Sequence, residues 1–154
     1  MFRIGTGHDT HRLVAGRPLI LGGVLIESDC GADGHSDGDA LAHALADAIL
    51  GALCEGDLGV HFPDSDSQWK DADSLQLLAR VCWLARERGY HLVNADATIM
   101  LERPKLGEYI ATIFDEIKAR PIYLVADIRQ ASRTVNHTPP SLPADSADGA
   151  SSVA

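Results

Sequence analysis

Long apolar runs are absent from this chain of 154 residues, in which 45% of the residues are hydrophobic and only 5% are aromatic. No stretch approaches the roughly 20 apolar residues that a membrane-spanning helix needs. The first residues also lack the basic segment and apolar run of a signal peptide. We therefore expect one globular domain, with no membrane partner and no secretion signal.

Cysteine and positive charge are also scarce. The three cysteines, Cys30, Cys54 and Cys82, are scattered and form no C-x-x-C pair, which favours structural thiols in a reducing cytoplasm. The net charge is −9, and no basic stripe exists to neutralise a nucleic-acid backbone. We expect a cytoplasmic protein with no nucleic-acid partner. A phosphorylated small molecule remains a candidate ligand if bound cations neutralise its charge.

The common phosphate-binding and nucleophile motifs are missing as well. The chain contains no G-x-x-x-x-G-K-[ST], G-x-G-x-x-G or G-x-S-x-G. Asp64-Ser65-Asp66 resembles part of a calcium loop, but the glycine and the distal glutamate of an EF-hand are lacking. No protein nucleophile is evident.

Hydrophobic periodicity predicts an α/β (α+β) fold, a two-layer sandwich with helices on one face of a mixed sheet. We predict helices over 38–54, 73–88 and 106–119, and a turn-rich loop over 55–66. Strands are predicted over 2–7, on both sides of a Gly-Gly bend within 17–26, and over 90–101 and 122–125. The last residues are rich in Ser, Ala and Pro. We therefore predict a domain over 1–128 and a disordered tail over 129–154.

Three metal-type ligands lie early in the chain. Asp9 and His11 are two residues apart, so on an extended strand both side chains point to the same face. His43 falls in the first turns of a predicted helix. Taken singly, each is more often an ordinary turn or helix residue than a metal ligand. Together, one carboxylate and two imidazoles suit tetrahedral Zn²⁺ with an open fourth position for a substrate oxygen.

The start of that helix carries a second signal. Ser36 and Asp39 have capping-box spacing, with Ser36 as the N-cap, and a helix start also attracts anions such as phosphate. Asp39 and Asp47 follow the helix period of His43. They either orient His43 from behind or belong to a solvated helix face.

Many short segments of the chain match one known family. The matching segments are collinear from residue 2 to about residue 118 and comprise Gly7-His8-Asp9-Thr10-His11, Leu21-Gly22-Gly23-Val24, His35-Ser36-Asp37-Gly38-Asp39, Ala42-His43-Ala44, Gly56-Asp57-Leu58-Gly59, Phe62-Pro63-Asp64-Ser65-Asp66, Asp73-Ser74, Val93-Asn94-Ala95-Asp96 and Arg103-Pro104-Lys105. Together they resemble the 2-C-methyl-D-erythritol 2,4-cyclodiphosphate synthases of the non-mevalonate isoprenoid pathway.

The resemblance implies a phosphorus–oxygen lyase. Its substrate would be 4-diphosphocytidyl-2-C-methyl-D-erythritol 2-phosphate, whose own 2-phosphate attacks the β-phosphorus to form the cyclic diphosphate and CMP. It also implies a homotrimer with active sites between subunits, one Zn²⁺ per subunit, and a second divalent cation, Mg²⁺ or Mn²⁺, on the substrate diphosphate.

The resemblance also assigns residues. The implied zinc ligands are Asp9, His11 and His43, and the implied catalytic residues are His35 and Asp57. The implied substrate-binding residues are Asp9, His11, His35, Ser36, Asp57, Leu58, Gly59, Phe62, Pro63, Asp64, Ser65, Asp66, Leu101, Glu102, Arg103, Pro104, Lys105, Leu106 and Gly107. Residues 62–66 would close over the substrate, and residues 101–107 would line the cytidine pocket.

After residue 118 the chain departs from the family pattern. The expected Lys-Ala-Thr-Thr-type segment, its following glutamate and a Gly-Phe-Thr-Gly-Arg-like stretch are missing, and Ala131-Ser132-Arg133-Thr134 leads into Pro139-Pro140 instead. The missing groups would contact the diphosphate and the second metal. One alternative is therefore an impaired family remnant that retains zinc or substrate binding. Another is a zinc-dependent phosphoesterase with water at the open position.

Overall fold

A computed structural model describes residues 2–119, with side chains through residue 117. The elements in chain order are β1 (Leu13–Ala15), β2 (Leu19–Leu21), β3 (Val24–Ile26), β4 (Cys30–Ala32), α1 (Ala40–Leu53), α2 (Leu58–His61), a 3₁₀ helix (Ser67–Trp69), α3 (Ser74–Glu87) and α4 (Ile110–Ala119). The α+β class is confirmed. The described strands form two antiparallel pairs, β1 with β4 and β2 with β3, rather than one mixed sheet.

The β2–β3 hairpin forms around the Gly-Gly bend, as the sequence predicts. Leu21 lies opposite Val24, so Gly22 and Gly23 make a two-residue turn. Their φ angles are 59° and 78°. Such a turn needs positive φ at both positions, which glycine adopts without strain. A side chain at Gly23 would also meet Leu75 of α3 at 2.2 Å.

Helix α1 begins at a different cap from the one predicted. Asp39, not Ser36, is the N-cap, and its carboxylate accepts a hydrogen bond from Ala42 N at 3.1 Å. The same carboxylate accepts from Gly22 N at 2.9 Å and Gly23 N at 2.7 Å. Asp39 is completely buried. It therefore ties the start of α1 to the hairpin turn, which capping-box spacing does not reveal.

Helix α3 matches its prediction over 73–88 closely. Asp73 is its N-cap and accepts from Leu75 N at 2.9 Å, and the chain leaves the helix at Gly89, where φ is 76°. Its apolar face packs on α1 to form the larger core cluster. That cluster comprises Ala42, Ala46, Ile49, Leu50, Phe62, Leu75, Leu77, Leu78, Val81, Cys82 and Ala85. Burial raises the pKa of the Cys82 thiol to about 11, so this cysteine stays a neutral core residue.

A second core cluster joins the β2–β3 hairpin to α4. Leu19, Leu21, Ile26 and Ile113 are its buried members, and Leu101 and Leu106 pack against it. Helix α4 begins at Ile110, four residues later than predicted.

Two predicted strands are wrong for the described chain. Residues 2–7 and 90–101 have no strand partner within residues 2–119. Residues 2–7 lie along α1 instead. The approach is so close at Gly5 that a Cβ there would come within 1.9 Å of Ala48 O. Residues 90–101 are mostly exposed, with Val93 at 75%. Alternation of apolar residues predicts an amphipathic strand but supplies no pairing partner. The predicted strand at 122–125 and the predicted tail lie outside the described residues.

The buried Asp39 carboxylate predicts a large stability effect. Replacing Asp39 with Ala removes the helix cap and leaves Gly22 N and Gly23 N without their acceptor. We expect unfolding free energy in urea to fall by about 3 kcal/mol. The matched control is Asp66→Ala, which removes the less buried cap of the 3₁₀ helix and should cost about 1 kcal/mol or less. Equal losses would show that Asp39 acts as a helix cap only.

Candidate metal centre and active site

Asp9, His11 and His43 meet in a small triangle of ligand atoms. Asp9 Oδ2 lies 2.8 Å from His11 Nε2 and 3.0 Å from His43 Nδ1, and the two ring nitrogens are 3.3 Å apart. Their side chains are only 11–21% exposed. Among the described residues this is the one group of three or more metal-type ligands close enough to share an ion. The structure therefore brings all three predicted ligands together.

Two elements place these side chains. His43 lies in the first turn of α1, which begins at Ala40. Asp9 and His11 follow the N-terminal segment. Both are half-buried, whereas His8 and Thr10 beside them are exposed. Asp9 and His11 therefore share one face, as their spacing predicts, and this face is turned toward α1. Gly7 allows this close approach, because a Cβ there would lie 1.9 Å from the Ala44 carbonyl oxygen.

Hydrogen bonds behind the two imidazoles orient their rings. His11 Nδ1 lies 2.9 Å from Asp33 O. A carbonyl only accepts, so Nδ1 donates, and the neutral ring directs its Nε2 lone pair into the triangle. His43 Nε2 lies 2.8 Å from Ser74 Oγ and 3.1 Å from Ser36 Oγ.

Neither alternative raised for Asp39 and Asp47 describes their contacts, because both carboxylates accept from backbone N–H groups and Asp39 is buried. Asp39 accepts from backbone groups at the start of α1, as described above, and Asp47 accepts from Leu58 N at 2.7 Å. Ser74 and Ser36 contact His43 instead. Ser74 lies 31 residues further along the chain than His43, and no local sequence signal links the two.

The geometry and charge of the triangle fit a cation. Tetrahedral ligands about 2.0–2.1 Å from zinc are separated by about 3.3 Å, and the observed edges are 2.8–3.3 Å. Burial would raise the pKa of Asp9, but hydrogen bonds from His11 and His43 outweigh it and hold that pKa well below its usual range. The Asp9 carboxylate raises the pKa of His11 in turn. Asp9 therefore stays ionised, and a cation bound in the triangle would replace the hydrogens that the two imidazoles share with this carboxylate.

The loop before α1 carries His35 and Ser36, and Arg17 contacts this loop from the segment between β1 and β2. Ser36 is only 6% exposed, and its hydroxyl already contacts His43 and Ser74. His35 Nε2 is buried without a hydrogen-bond partner in the described part of the chain. Arg17, which sequence reasoning missed, donates from Nη2 to Ser36 O at 2.9 Å. Its Nε is likewise buried and unpartnered among the described residues.

The predicted 55–66 loop contains the short helix α2, with Asp57 as its exposed N-cap. Asp57 accepts from Val60 N at 3.0 Å. Phe62 is a core residue whose ring meets Trp69 edge-on at 5.0 Å. The remaining predicted contacts of this segment, at the surface or half-buried, are Leu58, Gly59, Pro63, Asp64, Ser65 and Asp66.

A pocket adjoins the metal triangle at His11. Its volume is about 370 Å³, with His11, Arg12 and Leu13 on one side. Met100, Leu101 and Glu102 line the other side. The structure thus brings the first residues of the predicted cytidine segment to a metal ligand. The other members of that segment are exposed or half-buried beyond the pocket, and comprise Arg103, Pro104, Lys105, Leu106 and Gly107.

The fold and site together define an α+β protein with a candidate metal centre beside a pocket. No helix among residues 2–119 is both long and apolar enough to cross a membrane. The model of the YgbB family matches residues 2–134, which extends past the motifs quoted above. The chain belongs to the YgbB family.

Individual relatives agree with this assignment. The chain is 54% identical over 134 residues to the 2-C-methyl-D-erythritol 2,4-cyclodiphosphate synthase of Geobacillus kaustophilus, covering 87% of this chain and 80% of that protein. It is 56% identical over 116 residues to the Synechococcus elongatus synthase, covering 75% and 72%. A solved 2C-methyl-D-erythritol-2,4-cyclodiphosphate synthase in a CDP-bound form is similar with a TM-score of 0.72 and 46% identity, covering 76% of this chain and 78% of that chain.

The contact at Gly7 predicts a loss of both stability and metal binding. In Gly7→Ala the new methyl would meet backbone atoms of α1, which cannot yield. We expect the unfolding free energy to fall by about 2 kcal/mol, and the affinity for Zn²⁺ to fall as Asp9 and His11 move away from His43. The control Gly51→Ala, where the nearest atom is 3.8 Å away, should leave both properties unchanged or slightly improved. Unaltered zinc affinity in Gly7→Ala would contradict this account.

Proposed function

We propose that this chain cyclises 4-diphosphocytidyl-2-C-methyl-D-erythritol 2-phosphate to 2-C-methyl-D-erythritol 2,4-cyclodiphosphate and releases CMP. The observation that carries the proposal is the Asp9, His11 and His43 triangle beside a pocket that reaches Leu101 and Glu102. Two relatives with this activity in their names are more than 50% identical to the chain. The CDP-bound form of a related synthase supports a cytidine diphosphate group as part of the ligand.

The proposed resident metal is one Zn²⁺ per chain on Asp9, His11 and His43. Two imidazole nitrogens and one carboxylate oxygen are a common zinc donor set that leaves one position for substrate. Bound zinc would supply Lewis acidity and orient a phosphate oxygen. We propose that a second divalent cation, Mg²⁺ or Mn²⁺, arrives with the diphosphate, whose hard oxygens such ions prefer.

A substrate phosphate as nucleophile is consistent with the side chains around His43. Ser36 and Ser74 lie within hydrogen-bond distance of His43 Nε2, as serine nucleophiles would. They are only 6% and 1% exposed, so neither hydroxyl can reach the phosphorus of an external ligand. The protein's task is then to position two phosphates and neutralise their charge.

The remaining proposed roles come from the family resemblance, and the surroundings of each residue support them. His35 Nε2, buried and unpartnered within the described chain, is proposed to donate to a phosphate oxygen in the transition state. The exposed Asp57 carboxylate is proposed to accept from hydroxyls of the methylerythritol group, beside Gly59. We retain the proposed phosphate contact of Ser36 through its backbone, because its hydroxyl contacts His43 and Ser74.

Cytidine recognition is proposed for residues 101–107. Leu101 and Leu106 pack on the second core cluster and fix the segment, while Arg103 and Lys105 remain exposed. A rigid backbone beside the pocket can offer fixed donors and acceptors to a base edge. The proposed cytoplasmic location is supported by Cys30, Cys54 and Cys82, which are all free thiols.

The direct test measures CMP release from the authentic substrate with Mg²⁺ or Mn²⁺ present. His43→Ala should lose bound zinc and lower kcat by about a hundredfold or more. The control His91→Ala alters an exposed histidine outside the triangle and should keep both properties. Full zinc content in His43→Ala would remove His43 from the ligand set.

Two other outcomes would replace the proposed reaction. Bound zinc without CMP release would support an impaired family remnant. The match to the family model extends to residue 134, past the predicted domain end at residue 128. Residues 120–134 of this match lie outside the described residues. Hydrolysis of simple phosphate esters with no dependence on the cytidyl group would favour a phosphoesterase.

We also propose a homotrimer, supported by apolar side chains on the segments that lack a strand partner in the described chain. Ile4 is 79% exposed, Val93 75% and Met100 93%. Exposed apolar groups of this size mark interaction surfaces, and joining such segments across subunits would bury them.

Light scattering should therefore report about 49 kDa, three times the chain mass of 16.4 kDa. The double variant Val93→Asp/Met100→Asp should shift the protein toward monomers, because each interface would bury unpaired carboxylates. Val60→Asp, at a site of 68% exposure on α2, is the matched control and should remain trimeric. A monomeric unsubstituted chain would overturn this proposal.

A further inference from the structure

We propose that Ser74, held by Asp37, is a positioning residue that fixes the tautomer of His43 for the metal. This inference rests on the proposed metal site and adds residues outside its ligand set. Neither Ser74 nor Asp37 touches the metal triangle directly. They act on the far side of the His43 ring, whose Nε2 lies 2.8 Å from Ser74 Oγ.

Asp37 determines the direction in which the Ser74 hydroxyl points. One carboxylate oxygen of Asp37 accepts from Ser74 N at 3.1 Å, and the other accepts the hydroxyl hydrogen of Ser74 in a short bond. That second oxygen also accepts from Asp39 N at 3.1 Å. An ionised carboxylate has no hydrogen to donate. The single hydroxyl hydrogen of Ser74 is therefore committed to Asp37.

This commitment decides which nitrogen of the His43 ring carries the hydrogen. With its hydrogen used, Ser74 Oγ presents only lone pairs to the imidazole, so Nε2 must carry the hydrogen and donate it. A neutral ring with its hydrogen on Nε2 would then offer the lone pair of Nδ1, the atom 3.0 Å from Asp9 Oδ2, to a bound metal. The opposite tautomer would turn an N–H toward the metal and leave Nε2 facing another acceptor.

Burial keeps water from replacing this chain of hydrogen bonds. Ser74 is 1% exposed and His43 is 9% exposed. Ser36 plays a lesser part in the same network. Its Oγ accepts from Gly38 N at 3.3 Å and lies 3.2 Å from Ser74 Oγ, where it can donate to the remaining lone pair.

The hydrogen bonds from His43 to Ser74 and from Ser74 to Asp37 form a relay, and the surrounding backbone holds it together. Asp37 N donates to Ala72 O at 3.1 Å, and Asp71 N donates to His35 O at 2.9 Å. The loop before α1 is thereby fixed to the loop before α3. Because Ser74 is the first residue of α3, the position of this helix start is linked to the orientation of a metal ligand in α1.

The test compares zinc affinity, measured by competition with a chelator, in three variants of the full chain. Ser74→Ala should weaken zinc binding by about 10- to 100-fold, the usual effect of removing a partner behind a ligating histidine. Ser74→Thr keeps the hydroxyl and should restore affinity to within about threefold of the unsubstituted chain. Asp37→Asn should weaken binding about tenfold, because its amide can donate to Ser74 Oγ and reverse the hydrogen bond to His43.

The matched control is Asp73→Ala, which removes the N-cap of the same helix while leaving the Ser74 hydroxyl in place. It should lower the midpoint of thermal unfolding without changing zinc affinity. A zinc loss in Asp73→Ala equal to that in Ser74→Ala would show that helix stability alone controls the site, and would overturn the relay.

Nitrogen-15 NMR of the histidine rings supplies a readout that a structural role would not move. Zinc-loaded protein should show His43 with hydrogen on Nε2 and metal on Nδ1, and Asp37→Asn should populate the other tautomer or lose the Nε2–H signal. If Ser74→Ala fails to fold, Asp37→Asn decides the question. Unchanged zinc affinity and tautomer in Asp37→Asn would refute the relay while leaving the zinc site intact. Failure of the unsubstituted chain to bind zinc would instead remove the proposed function together with the relay.

Discussion

The packing of α1 on α3 is the contact on which the candidate active site depends. Leu50 of α1 and Leu75 and Leu78 of α3 are at most 1% exposed, and burial of each such side chain contributes about 2 kcal/mol. The same contact places His43 beside Ser74, at the two helix starts. The N-terminal segment then completes the site by lying against α1. The candidate ligand His43 thus lies on a packed helix, and Asp9 and His11 lie against that helix, as a site that must hold its geometry requires.

Charge shapes the proposed chemistry as much as packing does. The chain has a net charge of −9, yet its proposed substrate carries a diphosphate and a further phosphate. Cations must therefore do part of the binding, and a dication roughly doubles the attraction of about 4 kcal/mol between unit charges 4 Å apart at an effective dielectric of 20. The Asp9 carboxylate would attract such a cation, while Arg12 and Arg17 add positive charge on the segment that follows His11 in the same chain. This arrangement explains how an acidic protein can select an anionic ligand.

The elements that the sequence predicted well are those with local causes. Helices α1 and α3 follow from apolar residues at helical spacing, and the β2–β3 hairpin follows from two adjacent glycines that tolerate positive φ. Within residues 2–119 the predictions for 2–7 and 90–101 were wrong. A strand is defined by its partner, which alternation of residue types does not specify. The cap at Ser36 was wrong for a related reason. The Ser36 hydroxyl lies within hydrogen-bond distance of His43 and Ser74, which are distant in sequence.

The sequence by itself determined the candidate ligand types, the helix that carries His43 and the family, because Asp9, His11 and His43 occur within short motifs of recognisable spacing. Only the tertiary structure decided how those ligands are supported. The contacts of His43 with Ser74 and of Asp39 with the hairpin turn span 31 and up to 17 residues. The placement of Arg17 against Ser36 is equally non-local. Hydrogen bonds between distant residues depend on how helices and turns pack, and that packing leaves no periodic trace in the chain.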